Sequence, residues 1–201
     1  MQNFGIFEVD CRQRSETETG LSYVSRALPF REQIERIHAE AEAGDIPVIF
    51  TTCCSNRLLS KDDPRGTLVV PMDEQDTDWL DDVASHRVVY IEKRNWGNPI
   101  KNTHHCAWDM FRHNENAKKL LAKLGISHWI VYGVGIDLCI PSAVRGLLDA
   151  GCTVTILDDI LVNNVNGTPE TTRKMLETLG ESGVKTMPSD EFLKILQRAV
   201  A

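Results

Sequence analysis

A chain of 201 residues with 42% hydrophobic and 25% charged residues can bury one sizeable core without disulfides, and its net charge of −7 gives no general footprint for nucleic acid or an anionic membrane. The opening MQNFGIFEVDCRQR has no basic start followed by a long apolar run, and no stretch approaches the roughly 20 apolar residues of a membrane span. We therefore expect a cytoplasmic protein with no nucleic-acid or membrane partner. Six cysteines, at 11, 53, 54, 106, 139 and 152, form no regular framework and no C-x-x-C pair, which suits free thiols in a reducing compartment.

Residues 3–10 are apolar and partly β-favouring, and the predicted strand ends on a carboxylate, Asp10. A polar stretch over 12–20 precedes a helical pattern over 29–43, with Ile34 and Ile37 on one face and Gly44 as its stop. The run IPVIFTT (46–52) has the continuous apolar character of a parallel strand covered on both faces. Residues 53–73 read as an irregular loop, 76–84 as a short helix, and 87–92 (RVVYIE) as a third strand that delivers Lys93 at its end. The next twenty or so residues, 94–113, show no clean period and are long enough for a functional loop.

A helix is predicted from Asn114, with Leu120, Leu121 and Leu124 on one side and Gly125 as stop. The fourth strand, 129–133, leads through Gly133-Val134-Gly135 into a helix that carries Cys139 in its first turn. A fifth strand (152–157) ends at Asp158-Asp159; Thr168 can cap a helix beginning at Pro169; a short sixth strand spans 183–187; and Ser189 can cap the last helix. Strands thus alternate with helices throughout. The pattern predicts one α/β domain over 1–201, a three-layer, doubly wound, mostly parallel six-stranded sheet with helices on both faces.

In such sheets ligands bind beyond the carboxyl ends of the strands. Asp10, Lys93 and Cys139 all fall at such ends, and together they make a base, a cation and a nucleophile. A cysteine at a helix N-terminus gains thiolate character from the dipole and nearby N–H groups, and such groups can also hold an oxyanion.

At these residues the sequence resembles the isochorismatase-like cysteine hydrolases, which include nicotinamidases and N-carbamoylsarcosine amidase. The resemblance lies in IFEVD, IPVIFTT, VVYIEK, GVGIDLC and DAGCTVTILDD, in that order. It implies an isochorismatase-like hydrolase fold and a triad of Asp10, Lys93 and Cys139, with Cys139 as covalent nucleophile. It further implies a cis peptide joining Val134 to Gly135, which turns the Gly135 and Cys139 N–H groups toward one oxyanion. The implied reaction is hydrolysis of a C–N bond in a small amide, ureide or carbamoyl compound through a thioester. No cofactor is implied, and the family's oligomers suggest a homo-oligomer, a dimer or tetramer. The alternatives are a catalytically silent or small-molecule-binding domain of the same fold, and a nicotinamidase-like enzyme without the usual metal pair.

The chain departs from the family in two places. Nicotinamidases hold a divalent metal through an Asp-x-His pair after the second strand, where this chain has Cys53 and Ser55, so a metal-free site is expected. The loop after Asp10 reads Cys11-Arg12-Gln13-Arg14-Ser15, and Arg12 or Arg14 is a candidate for a substrate carboxylate. Within 94–113, Trp96, Trp108 and Phe111 surround His104-His105-Cys106. These aromatics fit either a pocket wall above Cys139 or a subunit interface; the His-His-Cys triplet lacks a flanking carboxylate and reads as part of the loop.

Overall fold

The first strand, β1 (Phe4–Arg14), lies at the middle of the sheet because both of its edges find a parallel partner. A computed structural model describes residues 4–14, 21–52, 68–70, 79–83, 88–91, 95–98, 103–106, 110–163 and 167–200. After β1 come β2 (Leu21–Tyr23), α1 (Arg31–Ala43), β3 (Val48–Thr52), β4 (Leu68–Val70), α2 (Trp79–Asp82) and β5 (Val88–Ile91). The hairpin of β6 (Asn95–Asn98) and β7 (Thr103–Cys106) precedes α3 (Met110–His113), α4 (Glu115–Leu124) and β8 (His128–Val134). The chain ends with α5 (Cys139–Asp149), β9 (Thr153–Val162), α6 (Pro169–Glu181), β10 (Lys185–Met187) and α7 (Ser189–Val200).

Among the described residues the main sheet runs β10-β9-β8-β1-β3-β5-β4, every neighbouring pair parallel, and β2 adds antiparallel to the end of β1. The six expected strands are all present, in α/β order. Two short strands, β2 and β4, extend them. The segment expected as an unpatterned loop, 94–113, contains the β6–β7 hairpin and α3.

Side-chain alternation along the central strands sorts the helices onto two faces. Phe7, Val9, Trp129 and Val131 pack with Leu120 of α4 and Ile140, Val144 and Leu147 of α5. Ile6, Ile130 and Tyr132 pack with Ile34 and Ile37 of α1 and Phe192 and Leu196 of α7. Trp129 is completely buried, and Gly5 across from it on β1 leaves the room: a Cβ there would lie 2.6 Å from the indole ring. Truncating such a side chain to alanine costs about 3–5 kcal/mol.

The helix ends follow their sequence signals. Asn114 caps α4 by accepting from the Asn116 N–H, and Gly125 ends it with φ of 62°. Thr168 and Thr171 form a reciprocal capping box at the start of α6, with Pro169 in the first turn. Each such cap is worth about 1 kcal/mol. Among the described residues no helix is long and apolar enough to cross a membrane.

The strand order creates the place for a site. From β1 the chain steps to β3 and β5 on one side, then returns to β8 on the other, so the winding reverses between β1 and β8. The carboxyl ends of those two strands therefore flank a crevice of the kind in which doubly wound sheets bind ligands. The strands close tightly there: Val9 pairs with Gly133, and a Cβ on Gly133 would lie 2.0 Å from the Val9 carbonyl oxygen. Only glycine fits.

Candidate active site at the strand switch

Asp10 stands at the β1 side of this crevice. Between Glu8 and Arg12 the β1–β3 register shifts, so that Glu8 faces Phe50 but Arg12 already faces Thr52. The extra residues bulge, and Asp10 takes a left-handed conformation with φ of 52°, a region that aspartate tolerates better than most residues. Its side chain is 2% exposed. Thr51 of β3 holds it at two points: the Asp10 N–H donates to Thr51 Oγ1 at 3.3 Å, and that hydroxyl donates to Asp10 Oδ1 at 2.8 Å. A strained, re-aimed carboxylate at a strand bulge is a common property of functional positions.

Cys139 stands at the β8 side, as the first residue of α5. β8 ends at Val134, and Gly135, with φ of 87°, turns the chain toward the helix. A Cβ on Gly135 would lie 3.1 Å from Cys139 Cβ and 3.3 Å from its Sγ, so glycine keeps the approach to the half-buried sulfur clear. The other described thiols differ: Cys11 is buried, and burial pushes the Cys152 thiol pKa up while its Sγ donates to the Ile126 carbonyl at 3.4 Å.

The cis peptide expected at Val134–Gly135 is corrected: no cis bond occurs among the described residues, and positive φ angles at Gly133 and Gly135 make the turn instead. The expectation that the Gly135 N–H faces an oxyanion is corrected with it. That N–H donates to the Val162 carbonyl at the end of β9 at 2.8 Å, and the Ile136 N–H joins it at 3.2 Å. In the first turn of α5 the Ile140 N–H donates to the Gly135 carbonyl at 3.0 Å, and Pro141 has no N–H.

The remaining candidates divide. Lys93 lies outside the described residues, two positions beyond β5, as do Trp108, Cys53, Cys54 and Ser55. Trp96 and the His104-His105-Cys106 triplet belong to the paired backbones of β6 and β7, with Trp96 opposite His105. Arg12 continues β1 past the bulge, opposite Thr52 and Tyr23. Phe111 packs into the core: it is 3% exposed, tilted against Phe7 at 6.0 Å between ring centroids, and seated where Gly146 of α5 leaves space. A glycine on the packed side of α5 makes that aromatic a core residue.

Three features of the site went unread in the sequence. Thr51 is one, although a threonine ending an apolar strand beside the Asp10 strand was a usable signal. Glu8 is another: completely buried two residues before Asp10, it accepts from His38 Nε2 of α1 at 2.8 Å and from the Tyr132 hydroxyl of β8 at 3.3 Å. The third is the end of β9, whose Val162 carbonyl anchors the turn before Cys139.

Comparison with known proteins gives this arrangement its context. The sequence model of one family, described as the isochorismatase domain, matches residues 8–191. No curated protein sequence matches the chain significantly. Among solved structures, YcaC from Pseudomonas aeruginosa, described with hexane-2,5-diol and covalent acrylamide, superposes with a TM-score of 0.59 at 17% identity, covering 98% of this chain and 81% of its own. The nicotinamidase SaPncA from Staphylococcus aureus gives 0.58 at 14% identity over 92% of this chain and 99% of its own. N-carbamoylsarcosine amidase from Thermoplasma acidophilum gives 0.55 at 13% identity over 94% of this chain and 97% of its own. At these identities the likeness is one of fold.

Proposed function

The chain belongs to the isochorismatase domain family, and from that premise we propose that it is a cysteine hydrolase cleaving a C–N bond in a small amide, ureide or carbamoyl compound. Cys139 is the covalent nucleophile, Asp10 the general base and acid, and Lys93 the stabilising cation. What supports the reading is that Asp10 and Cys139 follow the parallel-paired parts of β1 and β8, the two neighbouring strands between which the sheet reverses its winding. The nicotinamidase and the N-carbamoylsarcosine amidase of the same fold, and the covalent acrylamide of the YcaC structure, point the same way.

In this mechanism Asp10 takes the thiol proton and the sulfur attacks the carbonyl carbon, forming a C–S bond as the carbonyl electrons move to oxygen. The positive end of α5 and the Cys139 N–H offset the charge on that oxygen, the kind of stabilisation worth about 3–4 kcal/mol per donor. The oxyanion collapses, the C–N bond breaks, and Asp10 returns the proton to the departing nitrogen. Water then attacks the thioester while Asp10 accepts its proton, and the acid leaves with the thiol restored. Lys93 balances the Asp10 carboxylate and the developing thiolate.

The test is ammonia release from a panel of primary amides and N-carbamoyl compounds, with Cys139→Ala and Asp10→Asn beside the unaltered protein. Loss of turnover in both variants and a mass adduct at Cys139 are expected. Full activity in Cys139→Ala would end the covalent reading.

A further inference from the structure

We propose that Arg26 is a specificity residue of this same site and receives a carboxylate carried by the substrate, remote from the bond that Cys139 attacks. The inference rests on the amidase reading for its reaction and adds the substrate class: small C–N compounds bearing an acid group.

Arg26 differs from the other arginines. Every other arginine whose side chain is described is exposed, and two of them, Arg31 and Arg173, pair with carboxylates at 2.7 and 2.6 Å. Arg26 is half-buried, yet among the described residues it meets no carboxylate; its Nη1 donates to the Asn163 carbonyl at 3.4 Å, a long bond to a neutral acceptor. A guanidinium carries five N–H donors in a rigid fork, and removing it partly from water is unfavourable unless an acceptor replaces the water. A planar carboxylate fits that fork at two points.

The turn that carries Arg26 adjoins the β1 side of the site. It hangs from β1 just after Asp10, where the Val24 N–H donates to the Cys11 carbonyl at 2.9 Å, and is closed by the Ala27 N–H donating to Val24 at 2.8 Å. From there the side chain reaches Asn163, the residue after Val162, whose carbonyl holds the Gly135 N–H beside Cys139. β8 lies between β1 and β9, so Arg26 bridges across the end of the strand that leads to Cys139. Ala27 and Val24 pack on the α1 and α7 side, whereas Cys139 packs on the α5 side. A substrate held by both Arg26 and Cys139 would therefore span the end of β8. On a chain of net charge −7, an acidic substrate needs such a local cation to be held.

The experiment measures alkylation of Cys139 by N-iodoacetylglycine and by its methyl ester, which differ by one negative charge, in the full chain and in Arg26→Gln, Arg26→Lys and Arg26→Glu. Mass spectrometry follows each cysteine, and the readout is the ratio of the acid rate to the ester rate. One guanidinium near the carboxylate should raise that ratio about tenfold over the Gln variant, in line with Coulomb attraction at the protein surface. Lys should keep part of the gain and Glu should push the ratio below that of Gln; a side chain that only covers apolar surface would alter both rates together. An unchanged ratio across the four proteins, with Cys139 still labelled faster than Cys152, overturns the role of Arg26 and leaves the amidase reading standing. Labelling of Cys139 no faster than Cys152 by either reagent overturns both.

Discussion

Glu8 and His38 meet at 2.8 Å on the face of the sheet that α1 covers, and the glutamate is wholly buried while the histidine is 19% exposed. The Tyr132 hydroxyl joins them from β8, in register with Glu8. A buried carboxylate tolerates this position through its donors. His38→Ala should therefore destabilise the fold by about 2 kcal/mol, because it takes one donor from a wholly buried carboxylate. Glu8→Gln, which leaves an acceptor in place, should cost less. Denaturant midpoints check both, and an unshifted midpoint in His38→Ala would show that the contact carries no stability.

Thr51 touches Asp10 at two points, so it acts as a positioning residue. Thr51→Val should lower kcat about 10- to 100-fold with KM little changed, the scale of effect expected from displacing a general base. Thr51→Ser keeps the hydroxyl and should restore most of the rate. Equal losses in both variants would mean that the methyl group, and not the hydrogen bonds, matters.

Gly135→Ala adds a methyl group 3.3 Å from the Cys139 sulfur at a residue with φ of 87°. The left-handed conformation costs an alanine roughly 1–2 kcal/mol, and the crowding falls directly on the thiol. Slower alkylation of Cys139 together with a lowered unfolding midpoint is expected. Wild-type labelling in this variant would contradict the crowding.

His128 opens β8 at the far end from the site, 2.9 Å from Thr155 Oγ1, and its pKa is lowered by burial and then by the Lys185 charge. The unfolded chain therefore holds the proton more tightly than the folded one. Stability from this residue is present at neutral pH and falls as pH drops below about 6.5, the ordinary histidine value. His128→Gln should show a shallower fall in melting temperature between neutral pH and about pH 5. Identical profiles would remove His128 as a source of the dependence.

The parts of the fold that rest on periodicity were legible. The helix faces of α1 and α4 and the strand runs of β1, β3 and β8 follow their apolar spacing, and Cys139 opens α5 as expected, whereas β1 runs on past Asp10 to Arg14. What depends on partners distant in sequence was not. The first loop of β1 hides a bulge because a two-residue period cannot announce extra residues. Asp158-Asp159 reads as a strand end, yet β9 continues to Val162: the Ser189 N–H and hydroxyl of α7 meet the Asp159 carboxylate at 2.8 and 2.7 Å, and β9 bulges past β8 there. Phe111 reads as a pocket aromatic because nothing local reveals that Gly146 has left it a seat in the core. Arg26 stands in a stretch with no period, and its meaning comes only from the strand ends it spans.

The central place of β1 has a consequence for how the protein is made. During synthesis β1 pairs along one edge with β3, which follows soon after, but its other edge waits for β8, which begins only at His128. Until then the nascent chain carries an open row of backbone amides and carbonyls next to an apolar surface, the kind of edge on which chains stick to one another. The candidate site at the β1–β8 crevice cannot assemble before that edge closes, so release of a chain stopped short of residue 128 should yield a sticky fragment that lacks it.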